Sequence, residues 1–152
     1  MIQRIQTLYL LAAAAFMIVA LCSPLAVFNV GAEEFTLSAF ALSGAAESHN
    51  TLWLGILLAA ATLLPPVTIF LFKRRQLQIR LCAAELVLLV GSLVFVGIYY
   101  WLSNRMFADL DTTHQRLCFG ALMPLLSIIA VWLAMRAIFR DEVLVRSLDR
   151  IR

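Results

Sequence analysis

The sequence predicts an all-α membrane protein, a four-transmembrane-helix bundle with both termini in the cytoplasm. The 152-residue chain is 63% hydrophobic and 14% charged, whereas soluble domains are about half apolar and about a quarter charged. Four charge-free stretches each reach the roughly 20 residues that a helix needs to cross a bilayer. Most basic residues fall on one side of those stretches. This composition excludes an ordinary soluble domain, and we expect no nucleic-acid partner.

The apolar stretches place four helices in a single domain, residues 1–152, near residues 5–27, 51–72, 80–102 and 117–139. The first stretch has an alternative interpretation as a signal peptide processed near Cys22. A lipoprotein signal is also conceivable there. However, Leu21 is bulky at a position where lipoprotein processing requires a small residue, and the apolar run is longer than the core of a signal peptide. We therefore expect a retained first helix.

The basic residues predict the orientation of the helices. Cytoplasmic loops carry an excess of Lys and Arg, and an even number of helices leaves both termini on one side. Ten of the twelve Lys and Arg residues fall on the side of the termini, and only Arg105 and Arg116 fall on the other. Both termini are therefore expected inside.

The two outer connections differ in what they predict. The first connection, residues 28–50, is too long for a tight turn. The alternating segments "VFNV" and "EFTLS" on either side of Gly31 indicate a short β-hairpin on the outer ends of the helices. In the second connection, Asp111-Thr112-Thr113 is expected to cap the fourth helix.

Small residues predict where the helices pack, because helices in lipid associate through close approach and a few polar contacts. They recur at helical spacing on the second and fourth helices. The expected seams contain Gly55, Ala59, Thr62 and Pro66 on one helix and Gly120, Ser127, Ala130 and Ala134 on the other.

The third helix carries a more polar seam at alternating spacings of three and four residues. This face contains Cys82, Glu85, Leu89, Ser92, Val96 and Tyr99. Glu85 falls one to two turns inside the inner boundary. It has two interpretations: a structural ion pair with Arg4 or Arg136, which the sequence favours, or a proton or ion relay.

Proline and aromatic residues refine the helices. Pro65-Pro66 and Pro124 remove backbone donors and are expected to kink the second and fourth helices, as they do in many membrane proteins without any site. Trp53 and the Tyr99-Tyr100-Trp101 cluster are expected to form an outer interfacial belt.

Residues with metal or redox chemistry are few. The two outer connections could together bind a divalent metal if they met, although the spacing of their ligands fits no zinc pattern: the residues are His49 and Glu47 in the first connection and Asp109, Asp111 and His114 in the second. Cys22 and Cys118 lie near outer helix ends, where a bridge is geometrically possible, but small apolar packing residues are favoured. No catalytic motif is present, and we predict no enzyme, metal or cofactor.

The cytoplasmic side holds the candidate interaction face. The "KRRQLQIR" turn supplies clustered charge, and Leu144, Leu148 and Ile151 form an apolar stripe along an amphipathic C-terminal helix. This helix is interpreted as lying on the membrane, docking under the bundle or binding a partner. The candidate residues are Lys73, Arg74, Arg75, Arg80, Glu85, Arg146 and Arg150.

Three segments, "MIQRIQTLYL", "LFKRRQLQIRLC" and "RAIFRDEVLVRSLDRIR", together resemble domain of unknown function family 4293. The resemblance spans the chain and implies a small bacterial inner-membrane protein with four helices. It implies no activity, substrate or catalytic residue.

The functional expectation is a non-enzymatic accessory or scaffold protein that contacts membrane lipids or a partner through its basic cytoplasmic face. Self-association into a homo-oligomer is compatible with the small-residue seams. The alternative is a small transporter or membrane enzyme that uses Glu85 and the proline-kinked helices.

Overall fold

The computed structural model describes residues 2–30, 33–44, 48–71, 74–106 and 112–149. Its four helices are α1 (Ile2–Cys22), α2 (Leu52–Phe70), α3 (Arg75–Met106) and α4 (Phe119–Asp149). Its strands are β1 (Ala26–Val30), β2 (Glu33–Leu37), β3 (Ala41–Ser43), β4 (Ser48–Asn50) and β5 (Thr112–Leu117). The described chain is thus mostly helical with a five-stranded sheet.

The helices form a ring in which each packs against its neighbours in the chain and α1 closes the ring against α4. All four are long and apolar enough to cross a membrane. Many large apolar side chains point away from the ring, with Phe70 80% and Val87 72% exposed. Such a surface is unfavourable in water but suited to lipid.

The sheet lies at one end of the bundle, here called the sheet end; the end with Ile2 and the α2–α3 turn is called the terminal end. The strand order is β4-β3-β2-β1-β5, with every neighbouring pair antiparallel. Ala26, Phe28 and Leu37 are fully buried. One face of the sheet therefore contributes to the same core as the helices.

Backbone hydrogen bonds join the sheet to the helix ends. The Leu25 N–H donates to the Leu37 carbonyl at 2.7 Å, and the Cys118 N–H donates to the Leu25 carbonyl at 2.9 Å. The Thr51 N–H, just before α2, donates to the Phe40 carbonyl at 3.1 Å. These bonds fix the ends of α1, α2 and α4 to one sheet, so the sheet ties three helices together.

The predicted hairpin is confirmed as β1 and β2, but it is only part of the sheet. The prediction that Asp111-Thr112-Thr113 caps the fourth helix is wrong for the two threonines, because they begin β5, which pairs with β1. Asp111 lies outside the described residues. No local turn signal marks β5, since its partner is more than 80 residues away in the chain. A strand of that kind depends on non-local pairing, which sequence pattern reports poorly.

The helix bounds also differ from those predicted. The first helix ends at Cys22 rather than near residue 27, because Pro24 disfavours helical geometry at the residue before it and lacks a backbone donor. The third helix starts at Arg75 rather than near residue 80. The fourth helix continues without a break to Asp149, so residues 140–149 extend it.

The predicted seams are confirmed in part. On α4, Ala130 and Ala134 are buried, and the Ser127 hydroxyl donates to the Ala13 carbonyl of α1 at 3.3 Å. Gly55, in contrast, faces the sheet: a Cβ atom there would clash with the Phe40 ring and lie 3.0 Å from the Ala39 carbonyl. This small residue serves close approach to the sheet rather than to another helix.

Tyr100, a residue of the predicted outer belt, also contacts the sheet. Its ring lies 5.3 Å, centroid to centroid, from the buried Phe28 ring of β1. Its hydroxyl donates to the Gln115 side-chain carbonyl of β5 at 3.2 Å, and the Gln115 amide donates to Asn104. Trp53 and Trp101 are exposed, as an interfacial belt requires.

We expect Tyr100→Phe to destabilise the protein by about 1 kcal/mol, because it removes one partly buried hydrogen bond while keeping the ring. Thermal unfolding in detergent measures this loss. Tyr99→Phe is the matched control, since Tyr99 packs against the core on the same helix and its hydroxyl forms no hydrogen bond to the described residues of β5. Equal loss in both variants would contradict a specific role for the Tyr100 hydroxyl.

Candidate functional site

The predicted interaction face is divided by the structure. Arg74 and Arg80 are exposed at the terminal end, beside the α2–α3 turn, whereas Glu85 is fully buried. Lys73 and Arg150 lie outside the described residues, as do the side chains of Arg75 and Arg146. The interaction role of the whole set therefore stays a prediction, and Glu85 belongs to a different environment from the exposed arginines.

Two further arginines at the terminal end, Arg136 and Arg140, are exposed one turn apart on α4. The Arg136 guanidinium lies 5.5 Å from the centre of the Trp132 ring, a cation–π geometry. Within the described part of the chain, neither guanidinium forms an ion pair with a carboxylate. In the sequence, Arg136 was notable only as a basic residue of the terminal side and a candidate partner for Glu85, because spacing alone does not show which way its side chain faces.

A groove lies on each side of these arginines, and both arginines line both grooves. The α1–α4 groove has a volume of about 500 Å³ and includes Ile5, Tyr9 and Leu133. The α3–α4 groove has a volume of about 460 Å³ and includes Ile79 and Phe139, with the stacked Trp132. Two cationic groups thus form a ridge between two mainly apolar grooves.

Glu85 lies on the predicted polar face of α3, and that face is confirmed. Cys82, Leu89 and Ser92 are fully buried with it, and Val96 is nearly so. Both Glu85 carboxyl oxygens are buried without a hydrogen-bond partner among the described residues. The predicted pair with Arg136 is wrong, because that guanidinium is exposed over Trp132; the Arg4 side chain lies outside the described residues.

Other buried polar side chains lie toward the terminal half of the helices. The Gln78 amide donates to the Thr68 carbonyl at 3.0 Å and so joins α3 to α2. Gln6 on α1 is also buried, and its side-chain nitrogen has no partner among the described residues. The bundle interior therefore contains buried polar groups in its terminal half. Those without a hydrogen-bond partner among the described residues lower the stability of the fold, because burying such a group in an apolar environment costs free energy.

The two histidines cannot share a metal ion. His49 lies on β4 and His114 on β5, which are the two opposite edges of the sheet. Three strands lie between them, and neighbouring strands are about 4.8 Å apart, so the two imidazole rings are too far apart to bind one ion. Glu47, Asp109 and Asp111 fall outside the described residues; among those described, no cluster of three metal-ligating side chains occurs. Cys22, Cys82 and Cys118 are free thiols, so the possible Cys22–Cys118 bridge is not formed.

Comparison with protein-family models matches residues 2–151 to Domain of unknown function (DUF4293). The chain belongs to this family. The match covers essentially the whole chain, so the DUF4293 segment includes the sheet, the buried Glu85 and the arginines of α4. A search of curated proteins found no match.

Proposed function

We propose that this DUF4293 protein is a non-enzymatic accessory or scaffold protein of the bacterial inner membrane, with both termini cytoplasmic. The observation that carries the proposal is the pair of exposed guanidinium groups of Arg136 and Arg140, which form no ion pair with a described carboxylate and lie beside two mainly apolar grooves. The excess of basic residues at the same end supports the cytoplasmic orientation. That face contacts lipid headgroups, a protein partner or both.

The continuous α4 helix supports a role for the C-terminal segment in partner binding. Beyond Arg140 the helix extends to Asp149, and its described apolar residues Val143 and Leu144 are more than half exposed. An exposed amphipathic helix is a common element for binding a partner or an interface.

Deleting residues 141–152 is expected to release a co-purifying protein partner while leaving the four helices inserted. The measurement is a pull-down from native membranes in mild detergent, compared between the full chain and the deletion. Val143→Ser with Leu144→Ser is the matched variant, because it keeps the helix and removes its described apolar surface. Identical sets of bound proteins in all three samples would contradict the partner role.

A second candidate function, a small transporter or membrane enzyme, is favoured by one observation: the buried Glu85 carboxyl group has no hydrogen-bond partner among the residues that the structure describes. Ionisable groups within membrane helices often mark pathways for ions or protons. Neither α4 groove reaches Glu85. Pro65, Pro66 and Pro124 lie within helices that continue past them, so they support this function only through the expected kinks. Glu85→Leu and Glu85→Gln test this function through protein stability and the phenotype of a strain that carries the change.

A further inference from the structure

The depth of Arg136 and Arg140 matches a membrane boundary. At about 1.5 Å per residue, they lie about 26 and 32 Å along α4 from its start at Phe119. The hydrocarbon core is about 30 Å thick. With Phe119 at the outer boundary, the two guanidinium groups therefore lie at the inner headgroups, where lipid phosphates are found.

The charge balance at this position favours an anion. Neither guanidinium has a carboxylate partner within the described residues, and the Trp132 stack of Arg136 uses no N–H group as a donor. Among the described residues, both arginines and one carboxylate, Asp141, line the α1–α4 groove, and both arginines and no carboxylate line the α3–α4 groove. Arginine binds phosphate oxygens with parallel N–H donors, so two free guanidinium groups offer two phosphate positions.

The grooves supply places for acyl chains on both sides of those positions. Ile5 and Leu133 line the α1–α4 groove, and Ile79 and Phe139 line the α3–α4 groove. A lipid with one phosphate and two chains would use one arginine and one groove. A lipid with two linked phosphates and four chains would use both arginines and both grooves at once, and the two volumes, about 500 and about 460 Å³, are nearly equal.

We propose that Arg136 and Arg140 bind one diphosphate phospholipid of the cardiolipin class, with its acyl chains divided between the α1–α4 groove and the α3–α4 groove. The proposal rests on the cytoplasmic orientation given in the proposed function, and it names the lipid that this face selects. Basic pockets between transmembrane helices on the cytoplasmic side bind such headgroups in other membrane proteins.

The test uses the full-length protein in mild detergent with added cardiolipin. Phosphatidylglycerol at equal total phosphate is the anionic reference, and phosphatidylcholine is the zwitterionic one. Native mass spectrometry counts bound lipid, and thermal unfolding reports stabilisation. We expect one cardiolipin per chain, with binding about thirtyfold weaker when Arg136→Gln and Arg140→Gln are combined.

Two further variants separate the site from general charge and from folding. Arg74→Gln with Arg80→Gln removes the same charge from exposed positions that line neither groove, and it should weaken cardiolipin binding far less than Arg136→Gln with Arg140→Gln does. Ala137→Phe keeps both arginines and fills the α1–α4 groove, which Ala137 lines. Ala137→Phe should also weaken cardiolipin binding. It therefore tests the site independently if the Arg136→Gln, Arg140→Gln variant does not fold.

Three results would overturn the proposal. Equal binding of phosphatidylglycerol and cardiolipin at matched phosphate would show that two linked phosphates are not selected. Loss of binding in the Arg74/Arg80 variant alone would move the lipid to another part of the basic face and leave the proposed function intact. Capture of a protein that blocks cardiolipin at Arg136 and Arg140 would assign the surface to that protein. If no anionic lipid binds and the tail deletion releases no partner, the proposed function fails as well.

Discussion

Replacing Gly120 by Val is expected to destabilise the protein by about 3 kcal/mol, the upper range for overpacking a close contact. Gly120 lies in the first turn of α4, against the connection between α1 and β1. A Cβ atom there would lie 2.6 Å from the Pro24 carbonyl oxygen and would also meet the Ser23 hydroxyl. Because one of these contacts is backbone, the neighbour cannot move without displacing the end of α1.

The measurement for Gly120→Val is thermal unfolding of the purified protein in detergent, with folded yield as a second readout. Gly97→Val is the matched control, because Gly97 is also helical and a Cβ atom there meets nothing within 4 Å. Val and Gly have similar, low helix propensities, so this control should be close to neutral. A neutral Gly120→Val would show that α4 does not pack tightly on the α1–β1 connection.

Replacing Glu85 by Leu is expected to stabilise the protein by about 1–3 kcal/mol, the usual cost of a buried polar group without hydrogen bonds. Glu85 is fully buried, and both of its oxygens lack partners among the described residues. Leu has similar size and introduces no polar atom, so it should fit beside Leu89 and Cys82. The midpoint of thermal unfolding in detergent should rise.

Glu85→Gln is the matched control for Glu85→Leu. It keeps the shape and leaves a polar group without a partner, so its stability should stay near that of the wild type. If Glu85→Leu instead loses several kcal/mol, the carboxylate has a cationic partner such as Arg4, as the structural interpretation predicts. If Glu85→Leu is more stable but a strain carrying it has the phenotype of a deletion strain, Glu85 is kept at a cost in stability, which supports the transporter or enzyme alternative.

Sequence pattern predicted the inward face of α3 well. The alternation of Cys82, Glu85, Leu89, Ser92 and Val96 indicated one buried face, and each of these residues is buried. Helical periodicity is a local property, and a polar face in a lipid-facing helix must turn inward. The same reasoning could not identify what Glu85 contacts, because Arg4 and Arg136 were compatible by depth alone.

The candidate site at Arg136 and Arg140, in contrast to the buried face of α3, could not be predicted from sequence pattern. The sequence predicted a basic end and singled out the α2–α3 turn and the tail. The grooves beside α4 were not predicted, since they arise from the packing of α1 and α3 on either side of that helix. Charge can be counted along a chain, but a groove exists only between elements that tertiary packing brings together.

The sequence by itself determined that this protein has four helices able to span a membrane and a β-hairpin between the first two of them. The helices follow from composition, because a segment that crosses a bilayer needs about 20 mainly apolar residues. The hairpin follows from local alternation of apolar and polar residues on either side of a turn. Only the tertiary structure decided that β5 completes a five-stranded sheet with β1 and that Gly120 packs against the α1–β1 connection. It also decided that Glu85 is buried away from the exposed arginines. Each depends on contacts between distant parts of the chain, whose energy is set by packing geometry rather than by neighbouring residues.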